Sequence, residues 1–144
     1  QKSIIPLKTE YYTELSHHVA ILKLFPGISA AVVNHFFAIP SLQGIVLETY
    51  GAGNAPTDRW FVDAIKNAIN RGILIFNVSQ CVGGKVIMGK YETSKELLNI
   101  GVISGSDITT EAAITKMMWV LGTYEDTTKR TTLLKQNLVG EMTD

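Results

Sequence analysis

With 13 basic and 13 acidic side chains among 144 residues, the chain carries no net charge, so it offers no electrostatic footprint for nucleic acid or an anionic membrane surface. Its length suits one domain with a sizeable core. Hydrophobic residues at 46% against 18% charged leave enough apolar surface to expect a partner. A single cysteine excludes an internal disulfide, and nothing points to secretion.

The chain opens on Gln1 rather than Met and shows no signal-peptide pattern, so it is expected to be a piece of a longer protein. Gln1 to Ser16 is polar and mixed, without a period, and reads as a linker or irregular arm over residues 1–18 that precedes a domain at 19–144. The apolar region from His18 to Pro40 is broken by Lys23, Pro26, Gly27 and Asn34 and is no membrane span. Val19 to Phe25 reads as the first strand, stopped at Pro26-Gly27. Ser29 is placed to cap a helix over Ala30 to Phe37. Gly44 to Thr49 is the second strand. Thr57 or Asp58 caps a helix whose Trp60, Phe61, Ala64, Ile65, Ala68 and Ile69 share one face and which ends at Arg71-Gly72.

Ile73 to Ser79 is the third strand, and Gln80 to Tyr91 a glycine-containing loop. Thr93-Ser94 caps a short helix through Ile100, ended by Gly101. Val102 to Ser104 is a very short fourth strand. Thr109 or Thr110 caps a helix over Glu111 to Leu121, a last helix runs from about Asp126 to Leu138, and Gly140 to Asp144 reads as a frayed tail. Strands alternating with helices imply βαβ units. The expected fold is α/β, a small three-layer, Rossmann-like or flavodoxin-like domain with a parallel four-stranded sheet flanked by helices.

The most telling stretch is Glu48 to Pro56. A buried strand, a turn broken by Gly51 and Gly53, and a helix start place a ligand-facing loop at a strand's carboxyl end, where open α/β sheets bind small molecules. Asn54 is a polar side chain on that turn. Gly51-Ala-Gly53-Asn-Ala-Pro56 puts proline at the third glycine of a dinucleotide fingerprint, and no acidic residue closes the third strand, which argues against a nucleotide-binding oxidoreductase half. Gly83-Gly84-Lys85 lacks the spacing and following Ser/Thr of a phosphate loop.

Cys81 reads by default as buried and inert, with a ligand-lining role as the sharper alternative. No histidine at a neighbouring strand end could activate it, and His17, His18 and His35 offer no metal spacing with it, so neither zinc nor another cofactor is expected. Lys116, Met117, Met118, Trp119 and Leu121 read as core or interface. The candidate crevice is formed by Tyr50 to Asn54, Cys81, and Ser104 to Asp107. It is ready for a ligand, but no self-contained catalytic set accompanies it.

The runs Gly44-Ile-Val-Leu-Glu-Thr-Tyr-Gly-Ala-Gly-Asn-Ala-Pro56, Arg71-Gly-Ile with Asn77-Val-Ser-Gln-Cys81, Gly84-Lys-Val with Met88-Gly89, Tyr91, and Gly101-Val-Ile-Ser-Gly-Ser-Asp-Ile-Thr-Thr-Glu-Ala113 resemble the bacterial type I (cytoplasmic) L-asparaginase family. The likeness begins near Val19 and covers only that family's smaller C-terminal domain. It implies a cytoplasmic hydrolase of L-asparagine that works as a homodimer or tetramer. The nucleophilic threonine and its threonine–aspartate–lysine partners lie in an N-terminal catalytic domain, so this fragment alone is expected to be inactive.

In the family the asparagine matching Asn54 reaches toward a neighbouring subunit's active site. A cysteine of the allosteric asparagine site matches Cys81, but an arginine there is replaced by Glu48, which cannot pair with an effector carboxylate. With these, Tyr50, Ser104 and Asp107 complete the candidate ligand-binding set. The acid that periplasmic, type II enzymes place near substrate has no counterpart near Thr93 to Lys95. A non-catalytic effector-binding or dimerisation module and a subunit of a tRNA-dependent amidotransferase are the alternatives. Neutral charge lends the latter no support for RNA contact.

Overall fold

The computed structural model describes residues 9–143. Residues 1–8 of the expected arm, and Asp144, lie outside the described residues. The elements run β1 (Val19–Lys23), α1 (Ala30–Phe37), β2 (Gly44–Thr49), α2 (Arg59–Asn70), β3 (Leu74–Ser79), α3 (Glu92–Asn99), β4 (Ile103–Ser104), α4 (Thr110–Thr123) and α5 (Thr127–Lys135). All four strands are parallel and stand in sequence order across the sheet.

The register aligns Ile45 with Ile75 and Val46 with Phe76. Because side chains alternate across a strand, Ile45, Leu47 and Ile75 meet α1, α2 and α3 through Val33, Phe37, Phe61, Ile65 and Leu97. Val46, Phe76 and Val78 meet α4 and α5 through Ala113, Met117 and Leu134. Three helices on one face follow from right-handed crossovers that all step the same way along the sheet. Gly44 gives α4 its close seat, since a Cβ there would lie 2.9 Å from Leu121 Cδ1 and closer still to Met117 Sδ.

Local signals match the helix ends in most places. Ser29 Oγ accepts from the Val32 N–H and Thr109 Oγ1 from the Ala112 N–H. Past α2, the Gly72 N–H donates to Ile69 O and the Ile73 N–H to Ala68 O, a Schellman ending.

Four expectations need correction. β1 stops at Lys23, two residues short of Phe25, as the chain enters the turn in which the Ile28 N–H donates to Phe25 O. α3 is capped from Tyr91, not from Thr93-Ser94, because Ser94 lies inside the first turn, where its buried hydroxyl accepts from the Gly89 and Tyr91 N–H groups. α5 ends at Lys135 rather than Leu138, since Gln136 turns extended and gives its carbonyl to Lys116 Nζ. The tail is not frayed as far as Thr143, because Glu141 pairs with Lys116, Met142 enters the core and Thr143 bonds Asp107.

Residues 9–18 have no regular secondary structure and are mostly exposed, but Tyr12, Glu14 and Ser16 touch α4. The Ser16 N–H donates to Met118 O, and the Tyr12 and Trp119 rings meet edge to face at 5.4 Å. Among the described residues no helix is long and apolar enough to cross a membrane.

Candidate functional site

A cavity of about 330 Å³ opens at the carboxyl edge of the sheet, between the end of β2, the loop after β3 and the start of α4. Glu48, Gln80, Cys81, Asp107, Thr110 and Glu111 are among its lining residues. The sheet positions this wall by direct hydrogen bonds. Gln80 Nε2 donates to Leu24 O at 2.6 Å and to Glu48 O at 2.8 Å, while its own N–H reaches Thr49 O. One side chain thereby ties together the ends of β1, β2 and β3. The motif around Cys81 contained Gln80 without hinting at this role, because its partners lie 56 and 32 residues away. Gln80→Ala removes the donor to Leu24 O and leaves Glu48 O with the Leu24 N–H alone. It is expected to cost about 1–3 kcal/mol, read from a urea unfolding midpoint.

Glu48 points to the α4 side of the sheet. Its carboxylate accepts from Thr110 Oγ1 at 2.6 Å and lies 3.7 Å from Lys23 Nζ, whose side chain is largely exposed and holds it weakly. Cys81 is exposed, not buried. Its N–H donates to Ser79 Oγ, its carbonyl accepts from the Gly84 N–H, and this small turn lifts it out of the strand end into the cavity wall. Asp107 accepts from the Thr143 N–H and from Thr143 Oγ1, each at 2.7 Å. Those two bonds, the backbone one foremost, hold its carboxyl below the usual range.

The structure divides the expected ligand-binding set. Glu48, Cys81 and Asp107 share the cavity, whereas Tyr50, Asn54 and Ser104 do not line it. Ser104 Oγ instead accepts from the Ser106 N–H. Tyr50 and Asn54 form their own feature, a tight turn closed by the Tyr50 N–H to Asn54 O at 2.8 Å and the Asn54 N–H to Tyr50 O at 2.9 Å. The phenol of Tyr50 packs on the first core, and burial raises its pKa.

A buried polar pair supports that turn from below. Thr49 Oγ1 donates to Asn77 Oδ1 at 2.6 Å, and Asn77 Nδ2 reaches Met88 Sδ at 3.2 Å. Neither Thr49 nor Asn77 has measurable exposure. Gly53, at φ +104°, presses onto Val86 beside the Asn77 amide. No periodicity signals Asn77, but a polar residue inside an apolar strand is the available hint.

The sequence profile of the Glutaminase/Asparaginase C-terminal domain matches residues 18–134. L-asparaginase 1 of Escherichia coli is 41% identical over 125 residues, covering 87% of this chain and 37% of that protein. The L-asparaginase of Dirofilaria immitis is 41% identical over 135 residues, covering 92% of this chain and 22% of that protein. A glutamyl-tRNA(Gln) amidotransferase component of Pyrococcus furiosus is 36% identical over 130 residues, covering 90% of this chain and 29% of that protein. The crystal structure of L-asparaginase I from Vibrio cholerae superposes with a TM-score of 0.88 at 33% identity, across 96% of this chain and 41% of that one. The chain thus spans less than half the length of these relatives.

Proposed function

Because the chain belongs to the Glutaminase/Asparaginase C-terminal domain family, we propose that it serves as the C-terminal domain of an L-asparaginase, an amidohydrolase that converts L-asparagine to L-aspartate and ammonia. Residues 19–144 form the domain and 1–18 its arm. The parent protein is cytoplasmic and works as a homodimer or tetramer. A threonine of the N-terminal domain attacks the side-chain amide, ammonia leaves, and water cleaves the resulting acyl-enzyme. This domain supplies no nucleophile. It supplies the Tyr50–Asn54 turn, whose paired backbone bonds and buried Thr49–Asn77 support hold the Asn54 side chain ready to orient substrate or neighbouring groups.

The observation that carries this reading is the stiff turn at the carboxyl end of β2, set within a family match that covers most of the chain. The test is ammonia release from L-asparagine. The isolated chain is expected to release none, and the protein that carries it with an N-terminal domain to turn over readily. Turnover by the isolated chain would place the nucleophile here and overturn the proposal. Asn54→Ala in the full protein should lower kcat/KM by about tenfold or more through lost orientation. Unchanged kinetics would remove Asn54 from the active site.

The cavity favours a second, compatible role as an effector site. Glu48 sets its character, since a carboxylate held in the cavity wall by Thr110 repels an amino-acid carboxylate. Calorimetry with L-asparagine is therefore expected to show no binding at this cavity. Binding that Cys81→Ser or Glu48→Gln alters would reverse that expectation.

A further inference from the structure

The segment after α5 has a task that its irregular sequence conceals. Residues 137–143 have no helix or strand, yet three separate contacts hold them down. Glu141 lies 2.7 Å from Lys116 Nζ, with both side chains at or below 10% exposure. The same carboxylate accepts from the Leu138 and Val139 N–H groups. Met142 sits in the core that α4 and α5 share with the sheet. Beyond it, the Thr143 N–H and hydroxyl each reach a different oxygen of Asp107. Asp107 is a wall residue of the cavity, whereas Thr143 is not.

We propose that residues 137–143 form a latched strap whose Thr143 fixes the Asp107 carboxylate in the cavity wall, the Lys116–Glu141 pair being the latch. A carboxylate on a short side chain rotates readily. Two donors, one on each oxygen, fix its plane and stabilise its charge. Without Met142 in the core and Glu141 on Lys116, Thr143 would be held only by its exposed bonds to Asp107 and Lys85, so the distant pair influences the electrostatics of the cavity. Thr143 is a positioning residue, acting through Asp107 on whatever the cavity receives. The regulatory consequence rests on the reading of this cavity as an effector site.

Cys81 provides a readout that needs no ligand, since it is exposed and shares the cavity wall with Asp107. The other charged side chains of the wall, Glu48 and Glu111, stay constant across the variants, and Lys85 lies 3.4 Å from Thr143 Oγ1. The experiment measures alkylation of Cys81 by iodoacetamide, a neutral reagent, at fixed pH in the full protein. Thr143→Val removes a donor from Asp107, exposes more of its negative charge and should slow alkylation by about twofold, because the thiolate is the reacting form. Thr143→Ser keeps the hydroxyl and should restore the wild-type rate. Asp107→Asn removes the charge, so adding Thr143→Val to it should change nothing further. Glu141→Gln should act like Thr143→Val and speed hydrogen exchange at 142–143.

A rate unchanged in Thr143→Val, or equal slowing in the Asp107→Asn background, would overturn the proposal. Those outcomes leave asparagine turnover, the test of the asparaginase reading, untouched.

Discussion

Lys116→Met should destabilise the protein by about 3–5 kcal/mol, a large share of what holds a domain of this size together. The ammonium lies on the buried face of α4, its side chain only 5% exposed, and donates to both the Glu141 carboxylate and Gln136 O. Removing it strands a carboxylate that is itself almost covered. Either Glu141 remains unpaired, or the strap lifts and takes Met142 out of the core. The double variant Lys116→Met/Glu141→Leu should recover most of the loss, because a buried ion pair replaced by apolar groups of similar size is often neutral. Urea unfolding of the four corners of the cycle measures this, and a double variant as unstable as the sum of the singles would refute it.

The pair also predicts an acid limb. Burial would raise the Glu141 carboxyl, but the Lys116 ammonium and the backbone N–H groups outweigh it and bring the pKa from 4.5 to about 2. A depressed folded-state value contributes stability above the unfolded value, and that contribution fades as pH falls from 4.5 toward 2. Wild type should therefore lose stability across that window more steeply than the apolar double variant.

Gly53→Ala should cost about 2–4 kcal/mol and, in an asparaginase built as proposed, lower turnover on the order of a hundredfold. Two effects coincide at this position. Its φ of +104° is one that side-chain-bearing residues rarely adopt, and an added Cβ would stand 2.9 Å from Val86 Cγ1. The turn would have to move, and with it Asn54, which the Tyr50 pairing otherwise holds in place. Gly27→Ala is the control, since its φ is +87° but nothing lies within 4 Å of the added carbon. It should show the backbone strain alone, about 1 kcal/mol, with turnover intact. Equal stability losses in the two variants would mean that Val86 yields without effort.

The layers, the parallel sense of the strands and most helix starts could be read from the residues because their causes are local. Apolar runs such as Gly44 to Thr49 and the one-sided face of Trp60 to Ile69 declare themselves within a few turns, and so do Ser29 and Thr109. The supports of the site are non-local. Gln80 meets carbonyls on two other strands, Asn77 meets Thr49 across 28 residues, and Glu141 meets Lys116 across a turn and a helix. No spacing rule reports such encounters. The segment 137–143 shows the gap most plainly, since its mixed, glycine-bearing composition without a period resembles a loose end while its contacts make it a fastening. Placing Cys81 on the surface rather than inside likewise required the Ser79–Gly84 turn, which depends on hydroxyl and backbone bonds that apolar patterning does not encode.

The sheet adds each strand beside the one just made, so its first three helices can cover one side as synthesis proceeds, with little need for distant segments to find each other. The opposite side has no such provision. Val46, Phe76 and Val78 stay bare until α4 arrives from beyond residue 110 and lies across β1, β2 and β3. During that interval the nascent chain presents an oily sheet face to the cell, and a ribosome stalled there would leave a product prone to clump and suited to chaperone capture.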